Sequence, residues 1–204
     1  MGSPLSALLK QLVFGVDTIS AVALCTIFGL IFDPYPEFSS VIGYLALAGL
    51  GSYLPDLDLL IYLPFRKRFN WESHWDVGHH PLIVLPLASA LTFVAVQGMG
   101  IGNATHATAL MFVCVLIHFI HDSTDRVGFP WLSPFNMNVY LTLYYGWPRI
   151  LSSAPFHEHQ RKLNNLFETT STDEVLAAHG EPTTIWHIIV WLIAVGMFCY
   201  WVVF

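Results

Sequence analysis

Long apolar runs separated by short polar segments dominate the chain. A membrane crossing needs about 20 mostly apolar residues. Residues 12–32, 81–98, 105–120 and 185–204 meet or approach that length, and 41–65 does so with the sequence LPDLD interrupting it. Residues 131–150 are aromatic and punctuated by Pro134, Asn136, Asn138, Gly146 and Pro148. Tyr and Trp favour the headgroup level, so this segment is expected as an interfacial or re-entrant helix. The pattern therefore predicts an all-α integral membrane bundle, one domain over residues 1–204 with about five transmembrane spans. The first run is too long for a signal-peptide core and no small-residue cleavage site follows it. It carries Asp17, which should face the bundle interior rather than lipid.

Composition sharpens this reading. Hydrophobic residues make up 55% of the 204 and charged ones only 11%, against about 25% charged in a typical soluble domain. Disordered chains and ordinary cytosolic enzymes are excluded on that ground. With 14 acids against 8 bases the formal charge is −6, which offers nucleic acid no basic patch. Cys25, Cys114 and Cys199 stand far apart in apolar runs and read as small core residues. Five alternating spans would place Lys10, Arg66, Lys67, Arg68, Arg126, Arg149, Arg161 and Lys162 on one side, and the opposite loops hold no base. By the positive-inside rule the N-terminus is then cytoplasmic and the C-terminus outside.

The candidate chemistry lies on that same cytoplasmic side. LPDLD contributes Asp56 and Asp58; SHWDVGHHP contributes His74, Asp76, His79 and His80; HFIHDSTDRVG contributes His118, His121, Asp122 and Asp125. His118, Asp122 and Asp125 recur at i, i+4 and i+7, with His121 at i+3, so they share one helical stripe. Such a stripe is expensive against lipid unless it coordinates a cation or pairs with other charges. An acid near a helix end can serve simply as a cap or an ion-pair partner. Arg66, Lys67, Arg68 and Arg126 could neutralise part of the cluster, but they would not explain the histidines beside it. His and carboxylate without thiolate suit Zn, Mn or Fe. The candidates exceed what one tetrahedral ion requires, so one or two metal ions are expected, with some groups orienting the ligands from behind. No G-x-S-x-G elbow or phosphate-cradling loop is present. The expected nucleophile is a water activated by the metal. His157 and His159 share the cytoplasmic loop and His187 opens the last span, so each could reach the site; His106 and His179 read as solvated.

At these residues the sequence resembles a family of small bacterial and archaeal membrane-bound metal-dependent hydrolases, among them LexA-regulated inner-membrane proteins classed as hydrolases. GSYLPDLD (Gly51 to Asp58) fits its G-x-L-P-D-x-D block with one extra residue, and His74 with His79 fits its H-x-x-x-x-H block. His118, Asp122, Thr124, Gly128, Leu132 and Pro134 fit its third block, so the resemblance covers residues 51 to about 135. The family's middle block usually reads H-R-G-x-T-H-S; here the Arg and Thr are lost and Asp76 and His80 gained. If that Arg holds an anionic substrate, this chain either differs in substrate or relies on Arg126 instead.

The resemblance and the clusters together imply Asp56, Asp58, His79, His118 and Asp122 as metal ligands. His74 and Asp125 are further ligands or partners behind the ligands, either of which could serve as the proton carrier, and Asp76, His80, His121, Thr124 and Arg126 support the site. The implied activity is hydrolysis of a phosphoester or other ester in a lipid-like substrate at the cytoplasmic interface of the bilayer. Two alternatives come from other classes. A di-iron oxidase or desaturase would show H-x-x-H-H boxes, and this chain has none. A metal-ion transporter, or a metal-binding protein without catalysis, would favour ligands mid-span, where Asp17 is the one candidate.

Overall fold

A computed structural model describes residues 16–57, 78–124, 129–136, 138–143, 147–152, 157–158, 161 and 185–203. Five helices are described: α1 (Val16–Phe32), α2 (Phe38–Tyr53), α3 (Pro81–Met99), α4 (Ala104–Asp122) and α5 (Ile185–Val203). The α3 and α4 helices are long and apolar enough to cross a membrane, whereas the apolar stretches Asp17–Phe32 and Ile189–Val203 are shorter. Five crossings are therefore not carried by helix length alone. The largest departure is in the second expected span, 41–65, where α2 stops at Tyr53. Pro55 two residues later lacks the N–H that would continue the ladder, and Asp56 N–H turns back to the Tyr53 carbonyl at 3.1 Å.

Helix boundaries follow local chemistry. Asn103 caps α4 by accepting from the amides of Thr105 and His106 at 3.0 and 3.1 Å. Gly100 ends α3 in the left-handed region at φ 64°, a conformation that costs glycine little. Inside the helices, Thr26, Ser89 and Thr108 donate to the carbonyls four residues back at 2.7–2.8 Å. Those three hydroxyls are satisfied within their own helices and need no water in an apolar surround.

Small residues set the packing. Ala21, Cys25, Ala48 and Cys114 form a core with Val41, Leu110 and Trp201. A Cβ on Gly51 would lie 2.8 Å from Cys114 Cβ, so glycine there lets α2 close onto α4. The indole of Trp201 fills the place a side chain at Gly29 would take. Its Nε1–H donates to the Asp33 carbonyl at 2.8 Å, which joins the C-terminal end of α5 to that of α1. Leu82, Ile83, Leu87, Leu91, Phe93 and Val94 of α3 stay exposed, as do Leu192, Ile193 and Tyr200 of α5. A continuous apolar outer face of this kind suits lipid.

The segment expected as an interfacial or re-entrant helix is neither. Residues 139–142 and 149–152 form an antiparallel pair, β1 (Val139–Thr142) and β2 (Arg149–Ser152), with Val139 opposite Ser152 and Thr142 opposite Arg149. Val139, Tyr140 and Thr142 are β-branched or aromatic, and β1 alternates half-buried with buried positions. Pro134 and Pro148 bracket it where a helix would need their amides. The pair is pinned to the end of α4: Leu143 N–H donates to the Ser123 carbonyl at 2.6 Å, and Phe129 bridges Leu141.

Candidate metal centre

Four helices bring polar groups to one end of the bundle. Asp17 lies in the first turn of α1, Asp56 three residues beyond α2, His79 just before α3, and His118 and Asp122 in the last two turns of α4. His79 and His118 are 1% and 2% exposed, so neither ring can be solvated by bulk water.

Glycine again permits the approach. A Cβ on Gly78 would collide with the Pro55 carbonyl, a backbone atom that cannot swing aside. Its absence lets the 78–80 strand of chain settle against the turn at Pro55, with His79 Nε2 3.4 Å from Asp56 Oδ1. Phe119 and Phe129 wall the His79 ring, with centroids at 6.3 and 6.1 Å.

The His118 ring is oriented from behind. Its Nδ1 lies 2.8 Å from the Ser52 carbonyl, which can only accept, so Nδ1 carries a proton. Asp17 Oδ1 stands 3.2 Å from the same nitrogen. On the other side, Nε2 is 3.4 Å from Asp122 Oδ2 and 3.8 Å from Asp56 Oδ1. Asp122 Oδ2 is also 3.4 Å from His79 Nε2.

These separations suit a shared cation better than direct hydrogen bonds. A hydrogen bond between N and O would be about 2.7–3.2 Å. Ligand atoms bound at 2.0–2.2 Å to one tetrahedral ion lie roughly 3.4 Å from one another. Of the four separations between the imidazole Nε2 atoms and the Asp56 and Asp122 carboxylates, three are 3.4 Å and the fourth is 3.8 Å. His118 Nε2 and Asp122 Oδ2 are buried and have no hydrogen-bond partner among the described residues, a condition that native interiors rarely leave unanswered. Asp56, His79 and His118 each offer one ligand atom, all within 4.8 Å of one another, and could hold a metal ion.

Of the expected ligands, Asp56, His79, His118 and Asp122 thus come together. Asp58, His74, Asp76, Asp125 and Arg126 lie outside the described residues, as do His159 and His179. His80 and Thr124, expected to support the site, make other described contacts. The His80 Nδ1 meets the Ser133 hydroxyl, tying the start of α3 to the segment leading into the hairpin. Thr124 Oγ1 donates to the His121 carbonyl at 2.7 Å and closes the end of α4. His121 is half-buried on that last turn, and His157 is exposed. His187 lies in the first turn of α5. His106 is less solvated than expected, with its ring 4.3 Å from that of Phe32 at the opposite end of the bundle.

Asp17 is the residue that sequence reasoning left out of the site. Its burden against lipid marked it as inward-facing, which is correct, but it was placed mid-span. Asp17 lies 3.2 Å from His118 Nδ1, so it sits at the same end as the histidines. The available signal was its stripe: Asp17, Ala21, Cys25 and Gly29 recur every four residues along the face that packs inward.

A helical protein with an apolar outer face and a buried His/Asp cluster at one end of its bundle is a membrane protein with a site able to hold a metal. The chain belongs to the family described as YdjM inner membrane protein, whose model matches residues 16–204. That description places the family in the inner membrane, and hydrolysis is no part of it. No curated protein and no solved structure matches the chain.

Proposed function

We propose that this protein is a metal-dependent hydrolase of the inner membrane, acting at the cytoplasmic interface on a phosphoester or other ester of a lipid-like substrate. The observation that carries the reading is the spacing of Asp56, His79, His118 and Asp122, whose facing atoms stand 3.4–3.8 Å apart in a buried setting. A divalent cation, Zn or Mn, bound among these groups supplies Lewis acidity and brings the pKa of a water toward neutrality. The imidazoles offer neutral nitrogen donors and the carboxylates the balancing negative charge. Phe119 and Phe129 keep bulk water from the His79 side. His74 and Asp125 are the proton carriers in this reading.

The lipid-like substrate is supported by position. The site lies at a helix-bundle end beside an aromatic hairpin, where the exposed Arg149 guanidinium stands 5.1 Å over the exposed Trp147 ring. An amphipathic pair of this kind suits the headgroup layer. Transport is disfavoured because Asp17 lies with the other acids at one end rather than midway along a crossing.

Metal analysis of the detergent-purified protein tests the reading, comparing wild type with the double substitution His118→Ala and Asp122→Ala. One or two equivalents of Zn or Mn are expected in the wild type and none in the folded variant. A panel of phospholipid and lysophospholipid phosphoesters should then be hydrolysed by the wild type alone. Failure of the wild type to take up metal on reloading would overturn the site. Full metal loading without turnover on any ester of the panel would overturn the hydrolase and leave a metal-binding membrane protein.

A further inference from the structure

Beyond the ligand atoms themselves, the first helix reaches into the site by a route that the sequence motifs do not contain. We infer that Asp17 is a positioning residue for His118: its carboxylate lies behind the imidazole, holds the proton on Nδ1 and turns the lone pair of Nε2 toward the metal position. This rests on the reading that the Asp56–His79–His118 cluster binds a divalent cation.

The geometry is that of a relay with two faces. Asp17 Oδ1 is 3.2 Å from His118 Nδ1, while Nε2 on the far side of the ring faces Asp122 Oδ2 at 3.4 Å and Asp56 Oδ1 at 3.8 Å. The Ser52 carbonyl shares Nδ1 at 2.8 Å. That carbonyl is free to do so because α2 ends one residue later and the Asp56 amide turns back to Tyr53 instead. A neutral peptide oxygen sets the tautomer but adds no charge. The carboxylate adds negative charge behind the ring, which makes the opposite nitrogen a better donor to a cation.

Three further features hold Asp17 in this place. The inward stripe of Ala21, Cys25 and Gly29 seats α1 against its neighbours, so the side chain one turn before Ala21 faces the same way. The Thr18 hydroxyl meets the Tyr53 hydroxyl and ties the start of α1 to the end of α2. The N-terminal end of a helix is also the favourable end for a carboxylate. Among the described residues the ionic partner of Asp17 is His118.

The test is Zn2+ affinity of the purified full-length protein, measured by competition with a chromophoric chelator. Wild type is compared with Asp17→Asn, Asp17→Ala and Thr18→Val. Asp17→Asn keeps the shape and an acceptor but loses the charge, and should weaken Zn2+ binding about 10-fold. Asp17→Ala should weaken it by about 10- to 100-fold, with the saturating stoichiometry unchanged in both. 15N NMR of histidine-labelled protein reads the ring directly: the Ser52 carbonyl keeps Nδ1–H at His118 in every variant, and loss of the carboxylate should shift the His118 15N resonances in both Asp17 variants. Thr18→Val loosens the seat of α1 but keeps the carboxylate behind the ring, and should cost clearly less affinity than Asp17→Asn. Equal Zn2+ affinity in wild type and both Asp17 variants would overturn this inference and leave the metal site standing. So would an equal loss in Thr18→Val, which would assign the effect to helix seating. A lowered stoichiometry would make Asp17 a ligand and also overturn it. Absence of Zn2+ binding by the wild type would overturn the metal reading itself, and this inference with it.

Discussion

At the scale of single residues, the site depends as much on an absent side chain as on the groups that face one another. His79 reaches Asp56 because Gly78 lets the backbone lie against the Pro55 carbonyl. Gly78→Ala should therefore do two things. It should destabilise the fold by about 1–3 kcal/mol, the usual cost of overpacking a tight contact. It should also weaken metal binding by at least about 10-fold, since ligand groups must be held within a few tenths of an ångström. Thermal unfolding in detergent and Zn2+ competition measure the two effects separately. Unchanged affinity would show that the 78–80 segment can move without cost to the site. The clustering of these side chains was legible in part in the sequence, since the i, i+4 pair His118 and Asp122 fixes its own geometry on a helix. Asp56 and His79 were legible as helix-end acids and imidazoles. The role of Gly78 was not, because a close approach of two backbones distant in sequence leaves no periodic trace. Asp17 was half legible: its cost against lipid aimed it inward, but a run of apolar residues does not say which inward side chain it will meet.

At the scale of elements, the hairpin is the part that the sequence hid. Strands of four residues are too short for a period of two to stand out, and aromatic, proline-punctuated chain is equally compatible with an interfacial helix. What fixes the strands is tertiary. Trp131 Nε1–H donates to Ser123 Oγ at 2.8 Å, and Ser123 Oγ in turn donates to the Phe119 carbonyl at 2.8 Å. The Trp131 ring also stacks edge-on against Phe129 and Phe119, with centroids at 5.7 and 6.4 Å. One hydroxyl thus links the end of α4 to the segment leading into β1. Trp131→Phe keeps a ring but loses the donor, and should cost about 1 kcal/mol. Ser123→Ala should cost a similar amount, and the double variant less than the sum, because the two groups share one bond. A double-mutant cycle on thermal unfolding reads the coupling. Strict additivity would mean that ring packing alone holds the hairpin.

At the scale of the whole molecule, the alternation of the described helices shows which ends lie together, and charge gives the orientation to be tested. The site end holds the start of α1, the end of α2, the start of α3 and the end of α4. The opposite end is marked by Phe32 against His106 and by Trp201 against Asp33, so α5 finishes far from the metal position. The described helices alternate in the up-and-down order expected from the apolar runs, and among the described residues α3 and α4 reach full crossing length and apolarity. The connections at the far end, residues 33–37 and 100–103, contain Asp33 and Glu37 and no Lys or Arg. All 8 bases therefore fall elsewhere in the chain, and membrane proteins generally keep such an excess of bases on the cytoplasmic side. The site should then face the cytoplasm and the end of α5 the outside. Fusion of alkaline phosphatase after Phe204 should give an active enzyme, and fusion of a fluorescent protein there a dark one, in cells of a bacterium with an inner membrane. A bright fluorescent fusion with inactive phosphatase would reverse the bundle. The His/Asp cluster would then open to the outer side, where an intracellular lipid intermediate could not reach it, and the substrate would have to be sought among lipids of the outer leaflet.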